Sequence, residues 1–254
     1  ASIPATVSLT EMASSHTILV LAGPKSGDLL QSLSPRCDWS AQAFGWMQVR
    51  CMSIGHAQVQ AMSVSFSGEL AYELHVPNEQ LVLVWQLLQS AGETFNLSRF
   101  GLYAAESMRL EKGYLHWKAD IIDEFNPMEA GLDRFVQLNK PDFVGKPALI
   151  KALSKGGSKK LVTLDVACET APAHAGDPVF YQGKQVGTVT SGGYGHRVEK
   201  NLAYAYVDAE LAKASQLLTV RIIGIDQAAK VINRCLYDPQ NLKPRHKQRE
   251  VPSG

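Results

Sequence analysis

Phe66-Ser67-Gly68-Glu69-Leu70-Ala71-Tyr72-Glu73-Leu74-His75-Val76-Pro77 reads as a tight turn feeding a strand. Side chains alternate along a strand, so Leu70, Tyr72, Leu74 and Val76 share one face, and Ala71, Glu73 and His75 the other. The apolar row belongs in a core. The acid and the imidazole face either water or a polar ligand, and alternation alone favours water. Upstream, Val59–Phe66 alternates in the same way, with Met62, Val64 and Phe66 expected to face inward. Ser67-Gly68 then closes a β-hairpin. Downstream, Asn78-Glu79-Gln80 is expected to cap a helix running through Leu81, Val84, Trp85 and Leu88 to Gly92.

Farther out, Thr17–Ala22 reads as a buried strand ending at Gly23-Pro24, and Lys25–Leu33 as a helix. Another helix begins near Gly101 and carries Met108, Arg109, Leu110 and Glu111 before Gly113. Asn126-Pro127-Met128-Glu129 has the residues of a helix start: a capping Asn, Pro at the first position and Glu at the third. A small, flexible, charged stretch, Ser154-Lys155-Gly156-Gly157-Ser158-Lys159-Lys160, marks a boundary. Beyond it, Leu161–Val166, Pro178–Tyr181, Gln185–Thr190, Leu202–Val207 and Leu217–Ile223 are short strands spaced as in a small barrel or sandwich.

The 254 residues are 45% hydrophobic and 19% charged, with formal net charge +1. That is the composition of a globular chain with no electrostatic footprint for nucleic acid. Its basic run, Lys243-Pro244-Arg245-His246-Lys247-Gln248-Arg249, reads as a solvated tail. Cys37, Cys51, Cys168 and Cys235 form no C-x-x-C pair and no metal spacing, so reduced, buried thiols in a reducing compartment are expected and no metal site is assigned. No apolar run is long enough to span a bilayer, and no signal peptide is evident. The first residue is Ala, as in a chain processed or cut from something longer.

Several chemical motifs are absent or weak. Neither G-x-S-x-G nor H-E-x-x-H occurs. The glycine-rich Thr188–His196 lacks the strand-to-helix context of a phosphate loop and reads as a β-turn. Asp120, Asp123 and Glu124 read as a solvated acidic turn. Arg134, expected on the helix opened by Pro127, has two open roles: pairing with an anionic ligand or with a nearby Glu. A carboxylate at Glu73 has the geometry to accept two parallel N–H bonds from an aminopyrimidine-like edge.

Taken together, these segments resemble the aminomethyltransferase family, typified by the glycine-cleavage T-protein. Phe66–Leu74 is similar to its folate-site strand and Leu19–Lys25 to its Gly-Pro turn. Ser107–Gly113 is similar to its Ser-Leu-Arg-Leu-Glu helix, Asn126–Leu132 to its Pro-x-Glu-Ala-Gly-Leu segment, and Gly187–Gly192 to its Gly-x-Val-Thr-Ser-Gly turn. The matches run in order from about Ile18 to Pro239. Glu73–Pro77, Glu111–Trp117 and Leu138–Lys146 look closer to the C-terminal half of sarcosine and dimethylglycine dehydrogenases. Ala105 supports that branch, because the T-protein carries an Arg there.

The resemblance implies an α+β chain. It would comprise a partial mixed α/β folate-binding domain (1–153), a small all-β barrel domain (154–240) and a basic flexible tail (241–254). It implies tetrahydrofolate as cofactor, with Glu73 on the pterin edge, Leu74 and His75 at neighbouring contact positions, and Phe66 where the family has a Tyr. Arg134 falls on another family Tyr, where a cation suits a glutamate tail. The expected reaction gives the one-carbon unit of a small N-methyl amine to tetrahydrofolate, forming 5,10-methylenetetrahydrofolate. The expected partner is an FAD-binding domain of the same parent chain. The family's catalytic Asp motif is not found before Gly23, where Glu11 is the only acid. No catalytic residue is therefore assigned, and the isolated chain is expected not to turn over. The expected location is the cytoplasm, or the mitochondrial matrix in a eukaryote, with no nucleic-acid or membrane partner. The rival readings are a T-protein-like aminomethyltransferase and a non-catalytic regulatory module that kept the fold.

Overall fold

Two alternating strands place the centre of the first unit. The computed structural model describes residues 6–245 and divides into two units, residues 1–100 with 240–254, and residues 101–239. The C-terminal part of the basic run and tail, from 246 onward, lies outside the described residues. In the first unit, strands β1 (His16–Ala22), β2 (Val49–Ile54), β3 (Ala57–Met62) and β4 (Ala71–Pro77) form an antiparallel sheet in the order β1-β4-β3-β2. Helices α1 (Ser26–Leu33) and α2 (Leu81–Gly92) cover one face, on which Leu29, Leu30, Val84 and Leu88 meet Val59, Ala61, Tyr72, Leu74 and Val76. The inward row is as expected: Leu70, just before β4, and Tyr72, Leu74 and Val76 within it are all buried. Each such side chain contributes about 1.5–3 kcal/mol by leaving water.

Several expectations in this unit fail. β1 is an edge strand, not a buried one: Ile18 and Val20 are each about half exposed. The expected facing of the upstream strand is inverted. Val59 and Ala61 point into the core, Met62 points away from it, and the strand stops at Met62. The hairpin exists, with Met62 opposite Glu73 and Gln60 opposite His75, but residues 63–70 join its strands in place of a two-residue turn. Asn78 does not cap α2. Its side chain bonds Thr17 Oγ1 and the Ser14 carbonyl, and a 3₁₀ turn, Asn78–Gln80, precedes the helix.

Tyr72 sits edge-on to Trp39 and close to Phe44. Burial pushes its hydroxyl up to about 12, and the charge of Asp28 adds to the shift. A folded value above the ordinary value near 10 stabilises the fold fully below pH 10, and that contribution is lost as pH rises through 12. Near-ultraviolet circular dichroism is expected to report loss of structure between pH 10 and 12. Tyr72→Phe should remove part of that dependence, the buried Tyr204 and Tyr206, also pushed up by burial, supplying the rest, and an unchanged profile would contradict it.

The second unit holds α3 (Leu102–Lys112), α4 (Lys146–Lys155) and strands β5 (Lys159–Val166), β6 (Pro178–Tyr181), β7 (Lys184–Gly195), β8 (Lys200–Asp208), β9 (Leu217–Ile222) and β10 (Ile225–Ile232). The strands close a six-stranded barrel in the order β10-β5-β8-β7-β6-β9. β10, Ile-Asp-Gln-Ala-Ala-Lys-Val-Ile, is missing from the sequence-based expectation because its Ala- and polar-rich pattern has little strand signal. β8 is buried on both sides. Ala203, Ala205 and Val207 fill the barrel, while Leu202, Tyr204 and Tyr206 pack outward against Leu110 and Ala130. The outward tyrosines end on backbone carbonyls, Tyr204 on Leu110 and Tyr206 on Asp120.

The glycine-rich segment is not a turn: Thr188–Gly195 is the C-terminal part of β7, with a bulge between Val189 and Ser191. Its glycines serve close approach. A Cβ on Gly192 would overlap the Ala173 carbonyl, and one on Gly187 the Tyr206 carbonyl. Gly192→Ala is expected to destabilise by about 1–3 kcal/mol, read as a lower urea midpoint; an unchanged midpoint would contradict the close approach. Asn126-Pro127-Met128-Glu129 forms its reciprocal cap, with Asn126 Oδ1 accepting from the N–H groups of Met128 and Glu129 and Glu129 Oε2 accepting from Asn126 N–H. A single turn follows, and Arg134 lies in a separate 3₁₀ turn, Asp133–Phe135, in place of the expected helix.

Candidate functional site

Strand register assembles the candidate site on the face of the first sheet opposite its core. Glu73 lies between Val20 of β1 and Met62 of β3, and Met62 faces Val49 of β2. His75 lies between Ile18 and Gln60, and Gln60 faces Cys51. The acid and the imidazole therefore stand on the middle of the sheet with apolar side chains beside them. Glu73 Oε2 is 3.8 Å from His75 Nε2, and the side chains are 36% and 22% exposed. The pair is thus partly shielded without being sealed from a ligand.

His75 Nε2 is buried and has no hydrogen-bond partner among the described residues. An unsatisfied buried polar atom costs about 1–3 kcal/mol, so its position beside a carboxylate on an open face calls for an explanation. The arrangement offers a carboxylate that accepts hydrogen bonds, a ring nitrogen that serves either role according to tautomer, and an apolar floor for a flat ring.

The other expected site residues fall differently. Leu74 is fully buried in the core, so its side chain faces away from this surface and only its main chain lies at the site. Phe66 sits in the 63–70 connection with 37% of its surface exposed. Arg134 belongs to the second unit, where its exposed guanidinium lies 4.7 Å from the Phe135 ring centre. The structure thus brings Glu73 and His75 together and gives Leu74 a structural role.

The second unit contains a polar cluster that sequence reasoning missed. Asp120 is not a solvated acid: it is wholly buried, as is Arg109 of α3. Arg109 Nη1 donates to Asp120 Oδ2 at 2.5 Å, and the His116 backbone N–H donates to the same oxygen at 2.9 Å. Thr190 and Ser191 hydroxyls of β7 each donate to Asp120 Oδ1 at 2.6 Å. Arg109 Nε and Nη2 reach Glu106 Oε2 at 2.8 and 2.7 Å. The carboxylate therefore ties α3, the 116–121 turn and β7 together. No local spacing signals it, because Asp120 and Thr190 are 70 residues apart. Among the described residues no group of three or more His, Cys, Asp or Glu side chains is placed to hold a metal ion, and no helix is long and apolar enough to cross a membrane.

Known proteins match this arrangement over nearly the whole chain. Residues 1–140 match the GCVT N-terminal domain, and residues 159–238 match the glycine cleavage T-protein C-terminal barrel domain. The chain belongs to the glycine-cleavage T-protein, or aminomethyltransferase, family. Within it, the chain is 35% identical to mitochondrial dimethylglycine dehydrogenase of Rattus norvegicus, over 90% of this chain and 27% of the relative. It is 32% identical to an aminomethyltransferase of Koribacter versatilis, over 91% of this chain and 61% of the relative. It is also 32% identical to mitochondrial sarcosine dehydrogenase of Mus musculus, over 89% and 25%. The chain thus spans about a quarter of the dehydrogenases it matches. The crystal structure of the glycine cleavage system aminomethyltransferase T from Bartonella henselae has the same fold, with TM-score 0.77 and 24% identity, over 88% of this chain and 60% of that one.

Proposed function

We propose that this chain is the tetrahydrofolate-binding region of an N-methyl amine dehydrogenase of the dimethylglycine or sarcosine type. In this reading the Glu73–His75 face holds the pterin. The observation that carries it is the buried His75 Nε2, which has no hydrogen bond among the described residues, beside the Glu73 carboxylate on an open, largely apolar sheet face. A flat heterocycle with amide and amine N–H groups along one edge fits that surface. Glu73 accepts from the edge, His75 takes a further polar atom, and Ile18, Val20 and Met62 cover the ring and exclude water. Phe66 keeps an aromatic contact without a hydroxyl.

When bound, tetrahydrofolate supplies the amine nitrogens that take up a one-carbon unit as 5,10-methylenetetrahydrofolate. The contribution of these residues is positional: a ring held by two side chains on a rigid strand loses its orientational freedom before reaction. The domain boundary in this reading falls at 153/154. An FAD-binding domain of the same parent chain and a small N-methyl amine complete the enzyme. The mitochondrial names of its dehydrogenase relatives favour a matrix location.

A second reading, a T-protein-like aminomethyltransferase, draws support from the larger share of that relative covered, 61%. Ala105, where the T-protein has an Arg, counts against it.

Pterin recognition is tested by competition. Tetrahydrofolate is expected to bind in calorimetry, and p-aminobenzoylglutamate, which carries the tail without the pterin, is expected not to displace it. Equal displacement by the tail fragment would overturn the assignment of this face.

A further inference from the structure

We propose a second ligand site, in the barrel unit, for a zwitterionic amino acid with an aromatic side chain. A cleft of about 720 Å³ opens between the 118–125 loop and the outer wall of the barrel, lined by Lys118, Glu124, Phe125, Thr188 and Tyr206 among others. That volume lies in the range of small-molecule pockets. Three features give it chemistry.

The first is a pair of opposite charges. Lys118 and Glu124 are both exposed on the loop, and neither has a side-chain partner among the described residues. The third charged residue of the lining, Lys159, is already committed to Asp208 Oδ1 at 2.7 Å and the Val186 carbonyl at 2.8 Å. The free charges are therefore one cation for a carboxylate and one anion for an ammonium.

The second is an aromatic wall. Phe125 is half-buried and stacks on Tyr206, with ring centres 3.7 Å apart and planes within 17°. One ring face is occupied, the ring is held in place, and an aromatic side chain gains an aromatic partner there.

The third is a strained, fixed backbone. Lys118 has φ +66°, a region that costs a non-glycine residue energy and collects at binding sites. Its N–H bonds the Ile121 carbonyl at 3.0 Å, and two residues on, Asp120 anchors the loop through its buried carboxylate. Glycine would suit Lys118's backbone better.

The test is calorimetric titration of the whole chain with L-phenylalanine, 3-phenylpropanoate, phenethylamine and glycine. L-Phenylalanine is expected to bind at least tenfold more tightly than each of the other three, which lack the ammonium, the carboxylate and the ring. Lys118→Gly should abolish that preference over phenethylamine while the melting temperature stays equal or rises. Glu124→Gln should abolish the preference over 3-phenylpropanoate. Glu73→Ala should leave phenylalanine binding unchanged, which separates this site from the pterin face. Absence of phenylalanine binding, equal binding of all four probes, or full binding by Lys118→Gly would each overturn the proposal.

Discussion

Asp120→Ala is expected to destabilise the barrel unit by about 3–5 kcal/mol, the cost of removing one partner from a buried ion pair. The loss has three sources. Arg109, wholly buried, keeps Glu106 but loses its shortest ion-pair contact. The Thr190 and Ser191 hydroxyls lose the acceptor that holds the bulged part of β7. The His116 N–H loses its carboxylate, loosening the 116–121 turn. Asp120→Asn should cost less, because the amide oxygen still accepts while the charge is gone. Removing both charges with Arg109→Met and Asp120→Leu should recover part of the loss, since no wholly buried ion remains; Glu106, 26% exposed, loses Arg109 but keeps His116 Nδ1 at 3.2 Å. Urea unfolding reads all three. A midpoint for Asp120→Ala equal to wild type would mean that this carboxylate is dispensable to the unit.

Glu73→Ala is expected to leave the fold intact and weaken tetrahydrofolate binding. Glu73 is over a third exposed and outside the core, so its removal should change stability by no more than about 0.5 kcal/mol. A hydrogen bond to a charged group contributes about 1.5–3 kcal/mol, which corresponds to roughly 10–100-fold in Kd. Glu73→Gln should fall between wild type and alanine. It keeps one acceptor oxygen but turns an amide donor toward an edge that also donates.

The contrast between these sites explains what was legible in the sequence. The inward row of β4 was readable because alternation is local: four apolar residues at a spacing of two require only one strand. Five of the six barrel strands were readable because each is a short apolar run, most of them set off by glycine-bearing turns. The facing of β3 was not, because both of its rows are mixed, and the choice between Val59 with Ala61 and Met62 with Val64 is made by where α1 and α2 pack. The helix expected after Asn126 failed although its capping contacts formed, because a cap starts a helix but the residues after it must carry one on. Glu73 and His75 stood out as polar residues on a strand beside a core. Asp120 did not, since its partners come from α3 and β7, and nothing near it in the chain marks it as buried. An acid in a loop is read as solvated until folding supplies an arginine and two hydroxyls around it.

The central claim is that Glu73 recognises a pterin edge. Its most direct test is calorimetric titration of wild type and Glu73→Ala with tetrahydrofolate, with melting temperatures measured alongside. The predicted result is saturable binding by wild type and a Kd at least tenfold higher for Glu73→Ala at an unchanged melting temperature. Equal binding by the two well-folded proteins, or none by wild type, would contradict it.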